Sequence, residues 1–318
     1  MSEVRTENSS GRASRSLAVA VLYPGELGVA FASMLQARGV RVITTLADRG
    51  EATLRRCREA GIETLATFDQ VVEQANVIIS LVPPAAAEDV AESYCKLAHL
   101  APSGALFVDA NSIGPEMASN LAAKVEAAGI GFVDAAINGL AKNLRTSGTL
   151  YLSGTRASEV VSLVGDGMRM RMLPGGAGRA SAMKMLLAGL SKGICALYSE
   201  LALLAHRQEL QGEFAEAISK IYPGISALVE RMLPTYAQHA ARRVTEMQEL
   251  EQTTRWMGLE PCVIAAVRSV HENLAAVSFD SAAAQTATAL IEKLAEEQML
   301  AADLTAAQDV SISVFGSK

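Results

Sequence analysis

The chain is expected to be an α/β protein: a doubly wound parallel sheet over residues 17–173, followed by an all-α domain over 174–318. Short apolar runs alternate with helical stretches through the first half. Those runs are continuously apolar rather than alternating, as strands covered on both faces must be. Beyond Gly178 no convincing strand remains, and helical periodicity takes over completely. Half of the 318 residues are hydrophobic, with much alanine and few aromatics, enough for an extensive core.

The elements follow in order. Leu17–Leu22 is a short apolar strand that runs into Tyr23-Pro24-Gly25-Glu26-Leu27-Gly28, a tight turn. Val29–Arg38 has helical period and Gly39 closes it; Val40–Thr45 is the second strand. Glu51–Ala60 is a helix ended by Gly61, Ile62–Thr64 a short extended piece and Phe68–Gln74 a short helix. Asn76–Val82 is a strand stopped by Pro83-Pro84. Ala86–His99 is helical, Ala105–Val108 a strand, Pro115–Ala128 a helix and Phe132–Ala136 a strand. From Arg179 one helical stretch runs to Glu209. Further helical segments span Glu213–Met232, Tyr236–Met257, Pro261–Ala276 and Ser281–Leu300, punctuated by Pro223, Pro234 and Pro261.

Charge and composition exclude several classes of partner. A net charge of −6, with no block of like charge, argues against a nucleic-acid footprint or an anionic membrane surface. Cys57, Cys95, Cys195 and Cys262 are scattered, as are His99, His206, His239 and His271, so neither a disulfide framework nor a metal site is expected. The histidines read as surface or satisfied core residues. No apolar run reaches membrane-spanning length. Met1–Ser16 is polar and lacks the apolar stretch of a signal peptide, so a disordered tail and a cytoplasmic location are expected.

The turn after the first strand carries the first chemical signal. A strand, a glycine turn and a helix let backbone N–H groups and a helix N-terminus hold a pyrophosphate. The usual spacing is G-x-G-x-x-G; here the first glycine is Tyr23, followed by Pro24, while Gly25 and Gly28 keep the middle and last positions. Its place in the first βαβ unit makes the domain Rossmann-type and the ligand a nicotinamide dinucleotide. At the close of the second strand an NAD enzyme would place Asp or Glu to bind the ribose 2′-hydroxyl. This chain has Thr44-Thr45-Leu46-Ala47-Asp48-Arg49. Hydroxyls followed by an arginine suit a 2′-phosphate, so Thr45 and Arg49 point to NADP, with NAD still open through Asp48.

With these residues in hand, the chain resembles the β-hydroxyacid dehydrogenase superfamily, which includes 3-hydroxyisobutyrate and 6-phosphogluconate dehydrogenases. Besides the glycine turn, Val108–Pro115 is similar to that family's segment beside the nicotinamide. Phe132–Gly139 with Ser147-Gly148-Thr149-Leu150 is similar to its substrate signature, D-A-P-V-S-G-G followed by G-T-L. Gly176–Lys184 is similar to the turn that delivers its catalytic lysine. The second half resembles a phosphogluconate-dehydrogenase-like subgroup, through Ser181–Met185, Ser191-Lys192-Gly193, Arg242–Glu249 and Gly258–Pro261. The resemblance implies hydride transfer on a small hydroxy-acid-like substrate, with Lys184 catalytic and Ser112, Asn138 and Gly139 holding the substrate. It places Val82, Pro83 and Asn111 with Tyr23–Gly28 around the cofactor. Two departures bear on the substrate: Asn138 stands where the family has serine, and Ala188 stands where it has asparagine one turn after the lysine. Both suggest a bulkier or less polar substrate.

Lys184 itself is a cation near the start of an apolar helix, costly unless it meets a wet cleft or a partner. A lysine is also a side chain whose pKa can fall far enough for proton transfer near neutral pH. The bland alternative is a surface lysine with its stem laid along the helix. Helical spacing puts Lys184, Ala188, Ser191 and Cys195 on one stripe, with Leu186, Leu190, Ile194, Leu197, Leu201 and Leu204 supplying apolar faces. Lys142 and Lys192 are fallback bases, and His239, Arg242 and Glu246 read as a solvated helix face. Two other functions fit the same plan: an imine reductase using NADPH, which generally lacks the lysine, and a dinucleotide-binding protein without turnover. The long helix and apolar tail suggest a homodimer.

Overall fold

The computed structural model describes residues 17–47, 49–276 and 286–297. The expected tail Met1–Ser16, Asp48 and both ends of the expected helix Ser281–Leu300 lie outside the described residues. Contacts divide the chain into two compact units, Met1–Lys184 and Met185–Lys318.

The first unit is built on an eight-stranded sheet in the order β3-β2-β1-β4-β5-β6-β7-β8. Its strands are β1 (Ala18–Leu22), β2 (Arg41–Thr45), β3 (Glu63–Leu65), β4 (Val77–Ser80), β5 (Leu106–Asp109), β6 (Gly131–Asn138), β7 (Thr149–Ser153) and β8 (Arg169–Met172). Neighbours pair in parallel except β6 and β7, which pair antiparallel with Asp134 opposite Ser153. The sheet is therefore mostly rather than wholly parallel. The reversal follows from a connection between β6 and β7 too short for a crossover helix to lie against the sheet.

Helices α1 (Glu26–Gln36), α2 (Glu51–Glu59), α3 (Phe68–Gln74), α4 (Ala87–Lys96), α5 (Pro115–Ala127), α6 (Leu144–Ser147) and α7 (Ala157–Val164) fill the connections. Side chains of β1 alternate between two cores. Val19 and Val21 join Phe31 and Leu35 of α1 on one face, and Ala18, Ala20 and Leu22 join Tyr94, Phe107 and Phe132 on the other. Burial on both faces explains why the strands read as unbroken apolar runs.

The second unit is helical throughout its described residues. It begins within α8 (Arg179–Arg207) and continues through α9 (Gln211–Ile221), α10 (Pro223–Met232), α11 (Tyr236–Trp256) and α12 (Cys262–Ala276), with 287–297 also helical. The single helix expected over Glu213–Met232 is two. Pro223 has no N–H for the i−4 carbonyl and disfavours a helical residue before it, so α9 stops at Ile221 and α10 starts afresh. One core gathers Cys195, Val229, Leu233, Leu274, Leu290 and Leu294; a smaller one gathers Ala196, Met247, Leu250 and Val267.

Helix α8 corrects two expectations. It is long and apolar enough, by length and composition, to cross a membrane, a property that core helices of soluble proteins share. Lys184 and Lys192 interrupt the run of apolar residues, which is why counting consecutive apolar residues misses it. Of the leucines expected to fill apolar faces, Leu186, Leu190, Leu197, Leu201 and Leu204 are exposed, whereas Cys195 is fully buried.

Candidate active site at the carboxyl edge of the sheet

The strand order reverses direction of growth at β1, which lies between β2 and β4. In open α/β sheets a ligand crevice forms at such a switch point, outside the carboxyl ends of the strands. The sequence-assigned residues gather on that edge. Tyr23–Gly28 follow β1, Thr45 ends β2 and Arg49 lies just beyond it, Val82 and Pro83 follow β4, Asn111 and Ser112 follow β5, and Asn138 ends β6.

The turn after β1 suits a pyrophosphate. Gly25 caps α1 with an extended backbone and no side-chain hydrogen bond, so no side chain of the cap occupies the first-turn N–H groups. A Cβ on Gly25 would meet nothing within 4 Å, leaving open space where a phosphate must approach. At Gly28 a Cβ would stand 2.9 Å from Pro24 Cβ, so the last glycine lets the helix close against the turn. Glu26 contributes the turn's own negative charge, with Arg56 Nη2 4.0 Å away. The residues present therefore fit a dinucleotide.

Tyr23, in place of the first glycine, holds φ at +47°. This left-handed conformation costs a non-glycine residue about 1–2 kcal/mol. Its ring packs against the sheet core, and the Arg49 guanidinium carbon sits 4.2 Å from the ring centroid. Arg49 Nε donates to Ala47 O at 3.2 Å.

Two sequence-assigned cofactor residues point elsewhere. Thr45 is fully buried and its hydroxyl has no hydrogen-bond partner among the described residues, so it faces the interior rather than a ribose. Asn111 is only 2% exposed and its amide is committed within the protein. Its Oδ1 accepts from Val82 N–H at 2.7 Å, and its Nδ2 donates to Asp109 Oδ2 at 2.8 Å and to Ser80 Oγ at 3.0 Å. It ties the β4 and β5 loops together, and so fixes Val82 beside the crevice.

Lys184 is brought to this edge by an anchored helix start. Gly178, with φ at +95°, lies so close to α5 that a Cβ would stand 2.7 Å from Pro115 O. From there the first N–H groups of α8 converge on one carboxylate. Asp134 Oδ2 accepts from the N–H groups of Gly178 and Ala180, each at 2.8 Å, and of Ser181 at 3.1 Å. It also accepts from Ser153 Oγ at 2.9 Å, while Asp134 Oδ1 accepts from Ser181 Oγ at 2.7 Å. A carboxylate at a helix N-terminus complements both the orphan N–H groups and the macrodipole. One turn on, Lys184 Nζ donates to Ser112 Oγ at 2.6 Å. This bond joins the expected proton carrier to an expected substrate residue.

Sequence reading overlooked Asp109 and Asp134, which pair across β5 and β6 and are fully buried. The signal was visible: each is a lone acid inside an apolar strand, in Leu106-Phe107-Val108-Asp109 and Phe132-Val133-Asp134. Burial pushes the Asp109 carboxyl up to about 7, against the hydrogen bonds from Asn111; nearby Asp134 raises it further and Lys184 lowers it.

The substrate signature is explained by backbone contact. Gly139, at φ +149°, would place a Cβ 2.9 Å from Gly148 Cα, and a Cβ on Gly148 would stand 2.4 Å from Leu144 O. Both glycines allow the chain after β6 to fold back onto the start of β7. Asn138 is thereby exposed at the strand end. Of the fallback bases, Lys142 is exposed on a short turn, and Lys192 is buried with Nζ 2.5 Å from Glu246 Oε2.

Comparison with known proteins agrees with this geometry. Residues 18–163 match the family model of the NAD binding domain of 6-phosphogluconate dehydrogenase, and residues 205–274 match a domain of unknown function, DUF1932. Over residues 18–163 the chain carries an NAD binding domain of the 6-phosphogluconate dehydrogenase type, and it is similar to the β-hydroxyacid dehydrogenase superfamily. It is similar to the conserved protein MTH1747 of unknown function, whose structure resembles 3-hydroxyacid dehydrogenases (28% identity, 81% of this chain and 96% of that one, TM-score 0.68). It is also similar to a conserved hypothetical protein from Sinorhizobium meliloti (25% identity, 92% and 99% covered, TM-score 0.70). The fold is shared with Mycobacterium tuberculosis 3-hydroxyisobutyrate dehydrogenase (18% identity, 88% and 99% covered, TM-score 0.72). The NAD binding domain and these likenesses support a nicotinamide-dinucleotide-dependent oxidoreductase.

Proposed function

We propose that this protein interconverts a hydroxy-acid-like alcohol and its carbonyl compound, using NADP, with Lys184 as general acid and base. The observation that carries this reading is the Lys184–Ser112 hydrogen bond, 2.6 Å long, at the carboxyl edge of the sheet. The bound nicotinamide would accept or supply the hydride. In the oxidation direction neutral Lys184 takes the proton of the substrate hydroxyl; in reduction its ammonium form returns it. Ser112 holds Nζ in place and offers the substrate a hydroxyl. Asn138 and the Gly139 N–H offer an amide and a backbone donor for a carboxylate or carbonyl. Asp134 acts at one remove, by fixing the helix turn that carries Lys184. Arg49, just beyond the end of β2, favours the 2′-phosphate of NADP, while Asp48 next to it in sequence is the acid an NAD site would use.

Replacement of Lys184 by methionine keeps the stem and removes the proton carrier. Turnover is expected to fall at least about a hundredfold, with cofactor affinity unchanged. The assay compares hydroxy acids with cyclic imines, and near-full turnover in the variant would remove Lys184 from the chemistry. The chain is further proposed to work as a homodimer, because Leu186, Leu190, Leu197, Leu201 and Leu204 of α8 form an exposed apolar stripe, with Leu190 64% exposed. Sedimentation should give a dimer that Leu197→Glu with Leu201→Glu dissociates. A wild-type monomer at micromolar concentration would reject it.

A further inference from the structure

The strained turn and the ribose end of the crevice are joined by one contact, the stack of Arg49 on Tyr23. The β1–β2 pairing places Ala20 beside Ile43, so the turn after β1 and the loop after β2 emerge side by side. A glycine at position 23 would adopt the +47° φ at no steric cost. Strain of this kind persists where surrounding structure over-determines it, and it clusters at ligand clamps. Here the tyrosine ring gains two things a glycine cannot supply: packing against the sheet core and a face for the Arg49 guanidinium, 4.2 Å from its centroid. Arg49 Nε is committed to Ala47 O at 3.2 Å. With one edge of the fork tied down and one face stacked, the Nη1–Nη2 edge is held in a fixed direction beside the end of β2. A planar, pre-oriented fork is the group that binds a phosphate bidentately.

We infer that Tyr23 is a specificity-determining residue: its ring holds Arg49 in the orientation that selects the dinucleotide bearing a 2′-phosphate. The inference rests on the NADP reading of the same site, and it assigns the replaced glycine a role of its own. Its assigned role is exerted through Arg49, which makes Tyr23 a positioning residue.

The test is equilibrium binding of NADPH and NADH by fluorescence titration to the full-length chain, with Tyr23→Phe, Tyr23→Leu, Arg49→Ala and the Tyr23→Leu/Arg49→Ala double variant. Tyr23→Phe retains the ring and should bind both cofactors as the wild type does. Tyr23→Leu should weaken NADPH about two- to fivefold, the range of an exposed cation–π contact, and leave NADH unchanged. In the Arg49→Ala background the leucine should have no further effect on NADPH. Equal weakening of both cofactors by Tyr23→Leu would show that the ring merely shapes the turn, and would overturn the inference. So would a loss of NADPH affinity in Arg49→Ala without any loss in Tyr23→Leu, an outcome that leaves the NADP reading standing. A wild type that binds NADH as tightly as NADPH would end the NADP reading and the inference with it.

Discussion

The sheet unit buries two acids, the helical unit buries bases beside one acid, and the two treat these groups differently. In the sheet unit the buried acids Asp109 and Asp134 are hydrogen-bonded by Asn111, Ser153, Ser181 and the N–H groups that open α8. In the helical unit buried Glu251 pairs with Arg268, Nε to Oε1 at 2.5 Å, whereas among the buried basic and aromatic groups several polar atoms lack partners among the described residues. These are Tyr236 Oη, Arg243 Nη1 and both ring nitrogens of His271. Arg243 stacks on the Tyr236 ring at 3.7 Å and donates to Thr235 Oγ1 at 2.7 Å. The Tyr236 and His271 rings are 5.3 Å apart, and the Lys192 backbone lies near His271 outside hydrogen-bonding geometry. Asp134 is arranged to position a helix and its lysine, and Asp109 to hold Asn111. The bases are tolerated through stacking and pairing, and that difference leads to opposite responses to mutation and to pH.

The largest test of the contrast is Asp134→Ala. It strands the Gly178 and Ser181 N–H groups and the Ser153 and Ser181 hydroxyls in a buried site, leaving Ala180 N–H to Ser153 Oγ at 3.2 Å, and a cost of about 3–5 kcal/mol in urea unfolding is expected. Turnover should fall with stability, because the turn bearing Lys184 loses its anchor. Asp134→Asn keeps one acceptor and should cost about half as much. A loss below about 1 kcal/mol for the alanine variant would mean that water replaces the carboxylate, and the units would then differ less than their hydrogen bonds imply.

Much of this was legible in the sequence, and the residues show why the rest was not. Continuous apolar strands and the glycine turn identified the Rossmann sheet, because burial on both faces leaves no alternation to misread. The antiparallel β7 and the break at Pro223 depend on how neighbouring segments pack. At the site, Lys184 and Ser112 came out as partners. Thr45 and Asn111 were expected at the cofactor but are turned inward: Thr45 because the last residue of a strand faces either side according to a register the sequence leaves open, Asn111 because Val82 N–H and Asp109 take its amide. The helical cluster was the hardest to see. Periodicity treated Arg242 and Glu246 as a solvated face, whereas the neighbouring Arg243 is buried and Glu246 pairs with buried Lys192. His271 was expected to be a surface or satisfied core histidine, and it is buried with neither ring nitrogen bonded to a described residue. A long amphipathic stem lets an arginine or lysine enter a core that composition alone would close to it.

The contrast is sharpest in pH dependence. Asp109 has its folded pKa raised to about 7 from 3.8. The folded state therefore holds the proton more tightly than the unfolded chain. Its contribution to stability is fully present below about pH 3.8 and is lost as pH rises through about 7. His271 behaves oppositely. Burial, with Arg243 and Lys192 nearby, lowers it from 6.5 to about 4, against the pull of Glu246. Its contribution is fully present above about pH 6.5 and is lost as pH falls toward about 4. Hydrogen exchange, corrected for its intrinsic pH dependence, should show β5 and β6 losing protection from pH 4 to 7 while α11 and α12 gain it. Asp109→Asn should flatten the first trend, worth on the order of 3 kcal/mol across the window. His271→Leu should flatten the second, worth about 2–3 kcal/mol, and should stabilise the helical unit most at the acid end of the window, near pH 4, where the unfolded chain binds the proton that the folded imidazole resists. Parallel trends in the two units would show that they unfold as one cooperative body, so that the opposed slopes cancel in a single transition.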